Sequence, residues 1–171
     1  RPDDLRKHIS LMPQESLLWD GSIRSNICYP EQTCDEKKLH KLVQDTALSE
    51  LYERLDASGS DTIGESGSHI SGGEKQRTAI CRAMIENPEL ILADEPTGNL
   101  DSNTSLQVIK TLVHINETLN KTVVMVTHDP KMASYGKRTL FLKDGVILDS
   151  LIKKESNEKY YEKILNKMVQ I

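Results

Sequence analysis

The chain has 171 residues, 37% of them hydrophobic and 28% charged, with a formal net charge of -4. That size and balance suit one globular domain or a large part of one. The slight acidity argues against a nucleic-acid surface, which needs clustered Lys and Arg, and no apolar run approaches the ~20 residues that span a bilayer.

In chain order, His8 to Met12 is short and partly apolar and stops at Pro13, as a strand running into a loop does. Asp35 to Leu55 has helical periodicity. Leu39, Leu42, Val43 and Ala47 fall on one face, then Leu48, Leu51, Tyr52 and Leu55, with Asp35 placed as the N-cap. Asp56 to Ser68 is rich in Gly, Ser and Asp and reads as a loop. Ser71 opens a second helix whose buried face holds Ala79, Ile80, Ala83 and Met84 and which ends at Asn87-Pro88.

Leu90 to Ala93 is a continuous apolar run between prolines, the pattern of a strand covered on both faces of a parallel sheet. A helix from about Ser102 to Leu119 turns Leu106, Ile109, Leu112 and Val113 inward. Thr122 to Thr127 is a second buried strand, rich in β-branched residues. Strand, helix, strand at this length predicts a right-handed parallel crossover. Thr139 to Leu148 reads as a hairpin turning at Asp144-Gly145. Lys153 to Ile171 is charged, with Tyr160, Tyr161, Ile164, Leu165 and Met168 at helical spacing, an amphipathic helix packed on the core. There is no internal repeat. The cysteines Cys28, Cys34 and Cys81 show no metal-ligand spacing and read as reduced thiols, with Cys81 a small core residue.

Chemistry concentrates between Ile70 and Asp101. Asp94 and Glu95 are adjacent carboxylates at the C-terminal end of a strand, the edge where open α/β sheets bind ligands. One can hold Mg²⁺, a hard cation that prefers oxygen ligands and substrate phosphates. The other can orient or deprotonate a water. His128 lies at the same end of the next strand and can reach the same crevice. Ser71-Gly72-Gly73 sits at a helix N-terminus, where free N–H groups and the helix dipole favour phosphate. Each piece alone has a bland reading as a loop, a cap or a structural histidine. Their order and spacing together do not.

These motifs, with Met12-Pro13-Gln14-Glu15 upstream, resemble the ATP-binding cassette ATPases over essentially the whole chain. Ile70 to Glu74 resembles the signature motif, with Ile and Glu where Leu and Gln are commonest. Leu90 to Glu95 resembles Walker B with the catalytic glutamate, Asn99-Leu100-Asp101 the D-loop, His128 the switch histidine and Gln14 the Q-loop glutamine.

The resemblance implies ATP and Mg²⁺ as cofactors. Asp94 would hold the metal through water and Glu95 would be the general base. Gln14 and His128 would sense the metal and the γ-phosphate, Ser71, Gly72, Gly73 and Glu74 would cap a nucleotide, and Asp101 would communicate across a dimer. It implies an α/β fold: an incomplete RecA-like P-loop NTPase core of parallel strands and helices, plus an α-helical subdomain. In this partition about 14–88 form the helical subdomain and signature helix, 89–150 the C-terminal part of the core, and 151–171 the terminal helix. The implied partners are a second nucleotide-binding domain, head to tail, and a transmembrane permease domain or subunit that meets Gln14 to about Leu55. Nucleic acid is not among them. The implied location is the cytoplasmic face of the membrane.

Two flavours coexist. Gly21 to Ile27 and Thr62 to Gly67 resemble exporter-type cassettes, whereas Ala93 to Asp101 resembles cassettes serving lipoprotein-release and macrolide-export permeases. The cargo stays open. A P-loop needs GxxxxGK[ST], and the sequence has none. Gly59 to Ser66 has the glycine spacing but puts Glu65 where the lysine must be. The start at Arg1 and this absence read as a fragment lacking the Walker A loop, expected to bind ATP weakly and not turn it over. A sheet short of strands is expected to associate through its edges. Two alternatives stand beside this reading: a non-catalytic half-domain that donates its signature to a partner's site, and a cassette ATPase outside transport.

Overall fold

The computed structural model describes residues 5, 8–29, 34–57 and 62–171. Gly59, Ser60 and Asp61, part of the P-loop look-alike, lie outside the described residues. The chain divides into two compact units, Arg1–Val126 and Thr127–Ile171.

The first unit is built on a parallel sheet of three strands, β1 (Ile9–Met12), β2 (Leu90–Asp94) and β3 (Thr122–Val126), in the order β1-β2-β3. Leu90 lies opposite Ile9 on one side and Thr122 on the other. Among the described residues, four α-helices and a 3-10 turn (Glu65–Gly67) intervene between β1 and β2: α1 (Ile23–Ile27), α2 (Glu36–Asp45), α3 (Ser49–Ala57) and α4 (Gly72–Ile85); α5 (Ser102–Thr118) joins β2 to β3. The strand, helix, strand reading of Leu90 to Val126 is therefore observed.

Burial corrects one part of that reading. Side chains alternate across a strand, and the face carrying Met12, Ile91 and Ala93 is buried. On the opposite face Leu11, Val124 and Val126 are exposed, by 66%, 49% and 59%. The continuous apolar runs thus do not mark strands covered on both faces here.

The helical stretch from Asp35 to Leu55 is two helices. Asp35 caps α2 as expected, accepting from the Lys38 N–H at 2.8 Å. Ala47 then adopts φ 54°, a left-handed conformation that ends the helix, and so it points outward rather than into the core. Leu39, Leu42, Val43, Leu48, Leu51 and Leu55 are buried as their spacing predicts.

A disulfide joins Cys28 and Cys34, with Cα atoms 5.7 Å apart. This corrects the expectation of reduced thiols. The end of α1 and the approach to α2 bring the two within the ordinary bridging range. Cys81 is free and buried, and burial pushes its thiol up to about 12.

The second unit holds a short helix α6 (Pro130–Ala133), the antiparallel hairpin β4 (Arg138–Lys143) with β5 (Val146–Ile152), and α7 (Asn157–Met168). The hairpin turns at Asp144-Gly145, both at positive φ (50° and 77°), the geometry that matches strand twist in a two-residue turn. Tyr160 and Ile164 of α7 pack with Phe141, and the Tyr160 hydroxyl donates to the Leu151 carbonyl at 2.8 Å. Tyr161, Leu165 and Met168 lie on the same apolar pattern but outside that cluster.

Candidate functional site

Asp94 ends β2, and Glu95 follows it at φ 43°. A left-handed conformation at a non-glycine residue costs about 1–3 kcal/mol and persists only where surroundings impose it. Here they do. The Glu95 N–H donates to the Val126 carbonyl at 2.9 Å, and the Glu95 carbonyl accepts from the Gly98 N–H at 3.0 Å. The chain is thus folded into a tight turn just past the sheet edge. Gly98 leaves room in that turn: a Cβ there would lie 3.3 Å from Gln14 Nε2 and 3.8 Å from Glu95 Cβ. Gln14, two residues beyond the end of β1, is therefore brought beside the Glu95 turn, although 81 residues separate them along the sequence. The parallel pairing of β1 with β2 explains the meeting, since both strands deliver their C-terminal ends to one edge.

The second cluster forms at the start of α4. Ser71 caps the helix and makes a reciprocal box with Glu74: the Glu74 N–H donates to Ser71 Oγ at 3.3 Å, and the Ser71 N–H donates to Glu74 Oε2 at 2.7 Å. Glu74 also pairs with Arg54 at 3.1 Å. Burial pushes its carboxyl up, but the bonds from Ser71 and the Arg54 charge outweigh that and hold it below its ordinary value. Arg54 thus joins α3 to the signature turn.

Gly72 and Gly73 pack on the start of α5. A side chain at Gly72 would meet Leu100 Cδ2 at 2.8 Å, and one at Gly73 would overlap the Thr104 methyl. Asp101 caps α5, accepting from the N–H groups of Asn103 and Thr104 and from the Thr104 hydroxyl. The Thr104 hydroxyl, then those N–H donors, hold the Asp101 carboxyl below its ordinary value. Arg77 of α4 donates to Gln107 of α5 at 3.3 Å, one turn further on.

A third group of contacts fastens the segment after Gln14 to α4. Arg82 donates to the carbonyls of Asn26 and Leu17 at 2.7 and 2.8 Å and to Asn26 Oδ1 at 3.0 Å. Its guanidinium lies 4.4 Å from the centre of the Trp19 ring. Burial holds its pKa below the usual arginine value.

His128 belongs to the second unit. With Phe141, Leu142 and Met168 it lines a hollow of about 340 Å³ in that unit, and the neighbouring Asp129 caps α6.

The structure therefore gathers Gln14, Asp94 and Glu95 at one sheet edge, and Ser71, Gly72, Gly73 and Glu74 with Asp101 at a pair of helix starts. The sequence reading had overlooked Thr104, Arg54 and Arg82. Thr104 had a legible signal, a hydroxyl three residues after a helix-capping aspartate. Arg82 had none, because its partners are two backbone carbonyls, an amide oxygen and an aromatic ring far from it in sequence.

A family model described as ABC transporter matches residues 1–98, more than half of the chain. The chain belongs to the ABC transporter family. It is 37% identical over 168 residues to the ABC transporter ATP-binding protein YxdL of Bacillus subtilis, covering 94% of this chain and 61% of that protein. It is 34% identical over 168 residues to the bacitracin export ATP-binding protein BceA of Halalkalibacterium halodurans, covering 94% and 62%. The chain thus spans about three-fifths of the length of these curated relatives. A solved bacterial Atm1-family ABC exporter with ATP bound superposes with a TM-score of 0.75 at 26% identity, covering 97% of this chain and 29% of that one. The α/β core with its parallel sheet is that of an ABC nucleotide-binding domain.

ABC transporter ATP-binding proteins imply ATP and Mg²⁺, and the oxygen donors at the sheet edge suit the metal. Among the described residues no group of three or more His, Cys, Asp or Glu could hold a metal. The oxygen donors at the edge are the Asp94 and Glu95 carboxylates and the Gln14 amide. A set this small suits Mg²⁺, which keeps several waters and takes oxygens from substrate phosphates.

Proposed function

We propose that these residues form part of an ATP-hydrolysing engine that drives a transmembrane permease. The observation that carries the reading is the meeting of Gln14 with the Glu95 turn at the C-terminal edge of the parallel sheet, next to Asp94. Asp94 with Gln14 would hold Mg²⁺, which when bound withdraws charge from the phosphate oxygens. Glu95 accepts the proton of the attacking water at its carboxylate. The constrained backbone at Glu95 fixes where its side chain leaves the chain, which reduces the search over loop states.

Ser71, Gly72, Gly73 and Glu74, with Asp101, serve the nucleotide of a second copy in a head-to-tail dimer. Glu74 spends its charge on the helix cap and Arg54, which leaves the exposed Ser71 and Gly72 backbone to face that nucleotide. These 171 residues contain no GxxxxGK[ST] phosphate loop. Leu17, Trp19 and Tyr29 are exposed by 72%, 36% and 56%, and this apolar patch is the surface offered to the transmembrane partner at the cytoplasmic face. No described helix is long and apolar enough to cross a membrane.

The test is Mg²⁺-dependent ATP hydrolysis by the full-length polypeptide. Glu95→Gln keeps the shape and removes the base, so it should lower turnover by at least about 100-fold while ATP binding persists. Turnover in Glu95→Gln at the wild-type rate would remove Glu95 from this role.

A further inference from the structure

Thr104 stands where the two halves of the second cluster touch. Its methyl fills the space that a side chain at Gly73 would need. Its hydroxyl donates to Asp101 Oδ2, while its own N–H donates to Asp101 Oδ1 at 3.1 Å. Both carboxylate oxygens of Asp101 are thereby fixed, and the D-loop aspartate is held in one orientation against the signature turn. Without the hydroxyl, only the two N–H donors on Oδ1 would remain, and they tolerate rotation of the carboxylate.

We propose that Thr104 is a positioning residue for ATP turnover, acting through its hydroxyl on Asp101 rather than through its methyl on Gly73. This inference rests on the functional reading above. It separates two roles that a single side chain combines. If Thr104 only packs, the variant that keeps its shape is the better one, and valine should be tolerated more than serine. If it positions Asp101, the order reverses, because serine keeps the hydroxyl and valine does not. The depressed Asp101 carboxyl agrees with a strong bond from this hydroxyl.

The experiment compares Thr104→Val and Thr104→Ser in the full-length polypeptide, each alone and each combined with Asp101→Asn. Steady-state ATP hydrolysis and thermal melts are read for every variant. Thr104→Val should lower kcat by about tenfold with KM for ATP changed less than about twofold, the pattern of an interaction that matters in the transition state. Thr104→Ser should stay within about twofold of wild type in kcat. In the Asp101→Asn background, Thr104→Val should have no further effect on kcat, since the two act as one unit. A serine variant slower than the valine variant would overturn the proposal, as would additive losses in the double variant. The Thr104 hydroxyl also supports the cap of α5, so the melts show how much of any loss comes from folding, and the kcat loss in Thr104→Val should exceed what its melt explains. A wild-type polypeptide with no Mg²⁺-dependent hydrolysis would instead contradict the functional reading, and this inference with it.

Discussion

Asp101 shows how a single side chain combines a local and a remote task. It caps α5, and its carboxyl is held below the ordinary value by the Thr104 hydroxyl and the flanking N–H donors. A depressed folded pKa means that the stabilisation is fully present above the unfolded value, about 3.9, and is lost as pH falls through the lower folded value. The wild type should therefore melt higher than Asp101→Asn at pH 7, and the gap should close below about pH 3.9. A gap that stays constant down to pH 2 would show that the charge contributes nothing. Glu95 is the other instructive residue. Its place after an apolar strand was legible as a ligand edge. Its left-handed backbone was not, because it combines a local turn bond from Gly98 with a bond to Val126 that only the assembled sheet supplies.

The signature helix α4 is the element on which most of the described chemistry depends. Its start is fixed by the Ser71–Glu74 box, and its last turn is fixed by Arg82 to the segment that follows Gln14. Breaking the box with Ser71→Ala should cost about 0.5–2 kcal/mol, read as a lower melting temperature. Arg82→Met keeps much of the apolar stem but leaves the buried Asn26 without this donor, a cost of about 1–3 kcal/mol. A melt of Arg82→Met equal to wild type would show that water replaces the guanidinium without penalty.

At this scale the sequence was informative where periodicity is strong. The inward faces of α2, α4 and α5 were readable from residues such as Leu39, Ile80 and Ile109, all buried. The break between α2 and α3 was not, since Ala47 is an ordinary helix former with no glycine or proline to mark the turn. The burial of β3 was overestimated for a related reason. An apolar run shows that a strand can be covered on both faces, not that the described residues cover it.

For the molecule as a whole, the exposed Leu11, Val124 and Val126 lie on the uncovered face of a parallel sheet. Such a face and its strand edges favour association. The 171-residue polypeptide prepared alone should self-associate and hydrolyse no ATP, having no phosphate loop of its own. A sharply melting monomer by light scattering would contradict the first expectation, and Mg²⁺-dependent turnover would contradict the second. In the proposed two-chain assembly the sheet edge at Glu95 and the turn at Ser71 serve different nucleotides. Mixing two inactive full-length variants tests it most directly. Glu95→Gln disables the first role. Ser71→Asp keeps an N-cap but sets a carboxylate against the partner's phosphate. If the sites are shared between chains, each mixed dimer holds one intact site. An equimolar mixture should then recover about a quarter of the wild-type rate, since half the dimers are mixed and each carries one working site of two. A mixture no more active than either variant alone would show that the two clusters do not serve sites shared between chains.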